Sequence, residues 1–230
     1  MAHPGTHRPF KDELYREFAR VGGALASPKR LEMLDLLAQR ERTVEDLAGE
    51  LHLSVANASQ HLRVLLSARL VEVRRDGHFA FYGVAGLDVI RLCHALRDAA
   101  EERLADVHAI ALRHLGAREG AVDPVEAGEL LDLVASGRIV LLDVRPVEEY
   151  RAGHLPGARA LPIEQLRQGT DGLRLSRRRE IVAYCRGPYC VFADEAVALL
   201  REHGFRARRL RSGPPDWRAR GWPVVGDASA

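Results

Sequence analysis

The chain has 230 residues, of which 47% are hydrophobic and 29% are charged, and its net charge is +2. This length exceeds the usual size of one domain, so two domains are expected, and the composition excludes disordered and fibrous proteins. The net charge is too small to indicate nucleic-acid binding by itself. No apolar run approaches the roughly 20 residues that cross a bilayer, and the first residues lack the apolar stretch of a signal peptide. We therefore expect a cytoplasmic protein with no membrane partner.

The cysteine content restricts the chemistry that the chain can carry. The three cysteines, Cys93, Cys185 and Cys190, are odd in number and lack the repeated spacing of metal ligands. A disulfide scaffold is therefore not expected, and any cysteine chemistry should be redox or nucleophilic. Nothing in the sequence indicates a cofactor.

The amino-terminal half is predicted to contain short helices. Apolar residues at helical spacing predict one helix from Phe10 to about Leu25, and Ser27-Pro28 begins a second. A third helix begins at Thr43 and a fourth at Ser54, since each of these residues can cap a helix. The third and fourth helices, joined by a tight turn, form a helix-turn-helix pattern.

A β-hairpin is predicted directly after these helices. Apolar runs at 70–73 and 79–82 flank a turn around Asp76-Gly77. In a helix-turn-helix protein such a hairpin is a wing.

A set of residues in the fourth helix and the hairpin has the order and spacing of one known family: Ser59, His61-Leu62, Leu65, Leu70-Val71, and Arg75-Asp76-Gly77 to Tyr82. By these residues the first half of the chain resembles the ArsR/SmtB repressors. Arg69 departs from the family, which usually has a turn glycine there. Val55-Ala56 also departs, since polar residues are more usual, so the base contacts are expected to be fewer or different. The alternative is a winged helix that makes only protein contacts.

The resemblance implies which residues face DNA. The fourth helix would enter the major groove and the wing would approach phosphates or the minor groove of a double-stranded operator. The residues so assigned are Ser54, Asn57, Ser59, Gln60, His61 and Arg63 on the helix, and Arg74, Arg75 and His78 on the wing.

One long amphipathic helix is predicted from Leu87 to about Leu115. In the family that the chain resembles, this helix and the first one form a homodimer, so we expect a homodimer on a two-fold operator.

The ligands of the family's metal sensors are missing from this half. The third helix contains no cysteine, and His94, His108 and His114 lack the paired spacing of the family's zinc site. We therefore expect no metal site. Cys93 lies on the apolar stripe of the long helix and is interpreted as a core residue rather than a redox thiol.

A linker at 116–122 is predicted to separate an amino-terminal domain at 1–115 from a carboxy-terminal domain at 123–230. In the second domain, a helix from Asp123 to Ala135 and a helix from Val191 to about His203 alternate with apolar strands at 139–144, 181–184 and 206–210. This alternation implies a parallel sheet covered on both faces. The predicted fold is a mainly α winged helix-turn-helix domain with a β-hairpin wing, followed by an α/β domain with a parallel sheet.

Cys185 directly follows the strand at 181–184, where chemistry in such a sheet is expected. A thiolate beneath a loop of converging backbone N–H groups, at a helix N-terminus and beside Arg186, would be stabilised by hydrogen bonds, dipole and charge. The same loop would hold the anionic sulfur of a persulfide or a thiosulfate-like oxyanion. The predicted backbone cradle consists of Gly187, Pro188, Tyr189 and Cys190.

The second half carries a series of motifs in order: Leu142-Asp143-Val144-Arg145, Glu148-Glu149-Tyr150, Gly153-His154-Leu155-Pro156-Gly157-Ala158, Tyr184-Cys185-Arg186, Gly213 to Trp217, and Gly221-Trp222-Pro223-Val224. By these motifs it resembles rhodanese domains. The resemblance implies that Cys185 takes a sulfane sulfur as a persulfide and passes it to a thiol acceptor. It assigns anion binding to Arg186 and support of the loop to Asp143 and Arg145. The loop is one residue too short for the related phosphatases and arsenate reductases.

Cys190 departs from most sulfurtransferases, which place Ser, Thr or Arg at this position. As a resolving thiol it could convert a Cys185 persulfide into a disulfide or polysulfide bridge. The alternative is that Cys190 only packs under the loop, since spacing alone does not establish disulfide geometry.

The fused halves favour a DNA-binding transcriptional regulator, by family analogy a repressor, whose rhodanese-like domain senses reactive sulfur or redox state at Cys185. Its partners would be operator DNA, a second copy, and a small sulfur-containing anion or low-molecular-weight persulfide. The alternative is a sulfurtransferase enzyme with an accessory winged helix, working through the Cys185 persulfide. An arsenic or metal repressor has the least support because the ligands are missing.

Overall fold

The computed structural model describes residues 8–115, 127–169 and 175–226, so the predicted linker at 116–122 and the predicted start of a helix at Asp123 lie outside the described residues. The chain divides into two compact units, Met1–Cys93 and His94–Ala230. None of the helices within the described ranges is both long and apolar enough to cross a membrane.

The first unit is built from four helices and a hairpin. Its elements are α1 (Arg8–Leu25), α2 (Pro28–Gln39), α3 (Val44–Glu50), α4 (Val55–Ser67), β1 (Val71–Asp76) and β2 (Phe79–Val84). The hydroxyl of Thr43 accepts a bond from the backbone N–H of Asp46, and that of Ser54 accepts one from Asn57, both at 3.2 Å. These caps satisfy N–H groups at the start of α3 and α4, and the predicted helix-turn-helix is confirmed.

The helix pair and the hairpin pack on one apolar core. Met33 of α2, Leu47 of α3 and Leu62 of α4 are all buried in it. The hairpin is longer than predicted, because Asp76 pairs with Phe79 and leaves only a two-residue turn. Gly77 in that turn has a φ of 57°, which glycine adopts without steric cost.

The long helix predicted from Leu87 to Leu115 is interrupted, and in this respect the prediction was wrong. The structure has α5 (Leu87–Arg103) and α6 (Ala105–Leu115). The carbonyl of Leu104 accepts a bond from the N–H of Val107 at 3.0 Å, a three-residue turn that breaks the regular helical ladder. The boundary between the two units falls within α5.

The second unit contains a four-stranded parallel sheet with helices around it. Its strands are β3 (Ile139–Asp143), β4 (Arg159–Ala160), β5 (Glu180–Tyr184) and β6 (Ala207–Arg209), in the order β4-β3-β5-β6. Its helices after α6 are α7 (Ala127–Ala135), α8 (Val147–Ala152), α9 (Ile163–Arg167), α10 (Val191–Glu202) and α11 (Pro214–Ala219).

Side chains alternate between the two faces of this sheet. Leu142 and Ala183 lie in one apolar cluster with residues of α9 and α10, whereas Leu141 and Val182 lie in another with residues of α7 and α11. The predicted parallel sheet covered on both faces is confirmed. Asp143 pairs in register with Tyr184, so the residues that follow β3 and β5 emerge at the same edge of the sheet.

Candidate functional site

Cys185 lies at the carboxyl end of β5 and is buried, with 2% of its surface exposed. A short loop leads from it to Cys190, which is the N-cap residue of α10. The two cysteines form a disulfide with a Cα–Cα distance of 6.1 Å, within the range that disulfides span. The loop therefore brings the candidate nucleophile and the candidate resolving thiol together at one helix N-terminus.

Arg209, at the end of β6, fixes the backbone of this loop. Its guanidinium donates to the carbonyl oxygens of Gly187, at 3.0 Å, and Pro188, at 2.7 Å, and it pairs with Asp194 in the first turn of α10. Arg209 is buried, so these charge-assisted bonds are shielded from water. The sequence reasoning missed Arg209, because it is one of three arginines in the predicted strand at 206–210 and no local signal distinguishes it from the others.

Gly213 holds the other side of the loop by close contact. A Cβ atom on Gly213 would lie 2.5 Å from the carbonyl oxygen of Cys185 and 2.6 Å from that of Arg186. The N–H of Gly213 donates to the buried carboxylate of Asp216 at 2.8 Å. Only glycine fits where these two backbone segments meet.

Arg186, the predicted anion-binding cation, is paired with a carboxylate. Its Nη2 lies 2.6 Å from Oε1 of the fully buried Glu149, and its guanidinium stacks on the ring of Phe192 at 5.9 Å. Glu149 was part of a predicted motif, but its role was missed. The charge of Arg186 is thus compensated here, and anion binding by Arg186 stays a prediction.

Asp143 and Arg145 form a fully buried ion pair at 2.6 Å. Burial lowers the pKa of Arg145, but the hydrogen bond and charge of Asp143 outweigh it and leave the pKa raised. Arg145 also donates to the carbonyl of Gly153 at 2.7 Å. The direct contacts of the pair therefore fix the segment after α8, and its support of the Cys185 loop stays a prediction.

The predicted backbone cradle has fewer than four N–H groups that could bind an anion. Pro188 has no N–H and can contribute only the shape of the loop. The N–H of Cys190 donates to the carbonyl of Gly187 at 3.3 Å. A cradle formed by the N–H groups of Gly187 and Tyr189 stays a prediction.

The residues predicted to face DNA differ in exposure. Asn57, Gln60 and Arg63 are exposed on α4, whereas Ser59 and His61 are half-buried. The exposed Ser54 uses its hydroxyl to cap the helix.

On the wing, Arg75 and His78 are exposed. Arg74 is exposed as well, but it forms a hydrogen bond to Glu41 at 2.7 Å, which raises its pKa, and its guanidinium lies over the ring of Phe81 at 5.0 Å. Its side chain is therefore bound at the base of the hairpin in this structure. Arg69 has a φ of 56°, the conformation that the family's usual glycine favours.

Cys93 is half-buried against the core of the first unit. Burial, and secondarily the charge of Asp35, raises the pKa of its thiol to about 11. In the part of the chain that the structure describes, no three His, Cys, Asp or Glu side chains converge as metal ligands would.

Two residues in the middle of α5 contact Asp216 within the second unit. Nε2 of His94 lies 3.4 Å from Oδ1 of Asp216, and Nη1 of Arg97 lies 3.3 Å from the same atom. The pKa of His94 is lowered, mainly because the imidazole is buried. Asp216 thus connects α5 with Gly213, which packs against Cys185.

Two family models match the chain. Residues 27–73 match the bacterial regulatory protein, arsR family, and residues 126–220 match the rhodanese-like domain. The HTH-type transcriptional regulator Rv0324 of Mycobacterium tuberculosis is 46% identical over 215 residues, which cover 93% of this chain and 92% of the relative. The uncharacterized HTH-type transcriptional regulator Rv0081 of the same organism is 36% identical over 96 residues, 41% of this chain and 84% of the relative.

Among solved structures, the chain is similar to the homodimeric winged helix-turn-helix DNA-binding domain (fragment 1-100) of Mb0332 from Mycobacterium bovis, a possible ArsR-family transcriptional regulator. The identity is 42%, the match covers 46% of this chain and 95% of the fragment, and the TM-score is 0.41.

Proposed function

Because the chain belongs to the ArsR family of HTH-type transcriptional regulators and carries a rhodanese-like domain, we propose that it is a homodimeric repressor whose operator affinity is controlled by sulfur chemistry at Cys185. We assign DNA binding and dimerisation to residues 1–115 and sulfur chemistry to residues 123–230. One observation carries the proposal: a cysteine that follows a parallel strand and is bonded to the N-cap residue of the next helix, in a chain with an ArsR helix-turn-helix.

The exposed surface of α4 is the part that reads bases in the major groove. Asn57, Gln60 and Arg63 project donors and acceptors from it, and such side chains discriminate bases by hydrogen bonds. The wing adds Arg75 and His78, which contact the DNA backbone and set orientation rather than sequence.

The dimer forms through an apolar face of α1. Phe10, Leu14 and Phe18 recur every four residues on this helix, and Phe10 and Phe18 are 64% and 57% exposed. Large side chains at this spacing form one stripe that water solvates poorly. A second copy of the chain covers this stripe and brings two α4 helices to a two-fold operator.

Cys185 accepts sulfur when its disulfide is reduced. Its thiolate, stabilised at the N-terminus of α10, attacks the outer sulfur of thiosulfate. The new S–S bond forms the persulfide, and the electron pair of the broken bond leaves on sulfite. A low-molecular-weight persulfide reacts in the same way and leaves a thiol.

The sulfur step is tested by intact mass after the reduced full-length chain is treated with thiosulfate or inorganic polysulfide without oxygen. Cys93→Ala should react like the wild type, and Cys185→Ser should not react. A Cys185→Ser chain that consumes the donor as the wild type does would disprove the assignment. Fast continuous thiocyanate production from cyanide, with operator affinity unchanged, would instead identify a sulfurtransferase enzyme.

The DNA step is tested by operator binding of single variants at several salt concentrations, with a duplex that the protein selects from a random pool. Arg75→Ala should weaken binding to all sequences and lower the salt slope by about one. Arg63→Ala should relax sequence preference, and Arg138→Ala, on an exposed arginine of the second unit, should change neither property. Wild-type binding by both Arg63→Ala and Arg75→Ala would disprove the assigned surface.

A further inference from the structure

The disulfide between Cys185 and Cys190 indicates a chemical role for the thiol of Cys190. We infer that Cys190 attacks the Cys185 persulfide, so that the loop reduces a sulfane sulfur to sulfide and ends as an intramolecular disulfide. This inference rests on the proposed acceptance of sulfur by Cys185. It differs from sulfur transfer because the chain, and not an external acceptor, supplies both electrons.

The backbone around the two cysteines is held in the geometry that this reaction needs. Their Cα atoms are 6.1 Å apart, which a disulfide can bridge. Arg209 anchors the middle of the loop through two carbonyl oxygens, and Gly213 packs against its start. The N–H of Cys190 donates a hydrogen bond to the carbonyl of Gly187, and the turn that this bond closes brings the Cys190 thiol toward Cys185.

The position of Cys190 also favours it as the attacking group. As the N-cap residue of α10 it lies at the positive end of a twelve-residue helix, where a thiolate is stabilised. It is half-buried, whereas Cys185 is 2% exposed. A small donor would enter at the loop, whereas a bulky thiol acceptor would have to reach a persulfide on the buried Cys185, next to Cys190.

The reaction balances in two steps. In the first, the Cys185 thiolate takes the outer sulfur of thiosulfate and releases sulfite. In the second, the Cys190 thiolate attacks Sγ of Cys185, the Cys185–Cys190 bond forms, and the terminal sulfur leaves as hydrosulfide with the electron pair of the broken bond. The two thiols are oxidised together by two electrons, and the sulfane sulfur is reduced to sulfide.

The third cysteine cannot take this role. Cys93 is half-buried against the core of the first unit, and burial raises the pKa of its thiol to about 11, which leaves little of the nucleophilic thiolate near neutral pH. The disulfide therefore closes within the loop. In that state Cys185 has no thiolate to accept sulfur. The chain therefore stays oxidised after the donor has reacted, until a low-molecular-weight thiol reduces the disulfide.

The test uses the reduced full-length chain without oxygen, treated with thiosulfate, whose leaving group in the first step is sulfite, with sulfide release and intact mass measured together. The wild type should lose two hydrogens and release one sulfide per chain beyond the donor alone. Cys190→Ser should gain one sulfur atom and release sulfide at least about tenfold less. Cys190→Ala provides a second variant, and Cys93→Ala should match the wild type.

The outcomes separate this inference from the proposed function. A wild-type chain that keeps a stable persulfide and releases no sulfide overturns the resolving role of Cys190, while sulfur acceptance stands. If neither Cys190 variant gains sulfur, although both bind the operator as the untreated wild type does, sulfur acceptance itself fails. Disulfide formation in the sample without donor would show that the oxidation does not need sulfane sulfur.

Discussion

Gly213 lies directly against Cys185: a Cβ atom on Gly213 would come within 2.5 Å of the Cys185 carbonyl oxygen. The neighbouring atoms are backbone and cannot rotate away as a side chain would. The shape of the candidate site therefore depends on a residue far from it in sequence.

Gly213→Ala should damage the site and the stability of the chain. The methyl group must displace the backbone of Cys185 and Arg186, at a cost of about 1 to 3 kcal/mol. Denaturant unfolding should detect this loss, and sulfur uptake should slow. Gly128→Ala is the matched control, because its Cβ would have no neighbour within 4 Å on α7. Equal stability of the two variants would refute the contact.

Arg209→Lys should loosen the Cys185 loop. Lysine keeps the charge but cannot reach the Gly187 and Pro188 carbonyls and Asp194 in one planar arrangement. We expect a stability loss of about 1 to 3 kcal/mol and slower sulfur uptake in a stopped-flow assay.

The neighbouring Arg208→Lys supplies the control. Arg208 pairs with Glu180 at 2.6 Å and is half-buried. It should lose less than about 1 kcal/mol and take up sulfur at the wild-type rate. A defect in uptake as large as that of Arg209→Lys would contradict the assigned role.

Arg69→Gly should stabilise the first unit. Arg69 adopts a φ of 56°, which costs a side-chain-bearing residue roughly 1 kcal/mol and glycine almost nothing. The free energy of unfolding should rise by up to about 1 kcal/mol. Arg69→Ala keeps the strain and should show no such gain, so an equal gain in both variants would attribute the effect to lost charge.

Cys93 should react slowly with iodoacetamide. Burial raises the pKa of its thiol from 9.0 to about 11, so at pH 8 the thiolate is roughly a hundredfold scarcer than in an exposed cysteine. The rate should climb with pH until it approaches that value. The Cys185→Ser/Cys190→Ser chain isolates this thiol, and the same chain in denaturant is the reference. Similar rates in both conditions would argue against a protonated, protected Cys93.

Local sequence patterns were sufficient for most of the first unit. Cap residues such as Thr43 and Ser54 determine where helices start, and their bonds depend on residues three positions away. The interruption at Leu104 was not predictable in this way, because the apolar stripe continues through it and only the change in hydrogen bonding reveals it.

In the second unit, the sequence predicted the strands and the position of the candidate nucleophile, but not the contacts between residues that are distant in sequence. The position of Cys185 followed from the strand before it and the helix after it. The short helices α8 and α11 were not predicted, since they lie in segments rich in proline and glycine. Glu149 and Arg209 act through partners 37 and 22 residues away, respectively, and no local periodicity reports such contacts.

If sulfur chemistry at Cys185 controls repression, it must change the affinity of the chain for its operator. The dissociation constant for the selected operator is measured at fixed salt for the reduced wild type, before and after inorganic polysulfide, beside Cys185→Ser and Cys93→Ala. The dissociation constant should change roughly 5- to 150-fold in the wild type and in Cys93→Ala, and it should not change in Cys185→Ser. Sulfur chemistry at Cys185, verified by mass, with an unchanged dissociation constant would contradict this prediction.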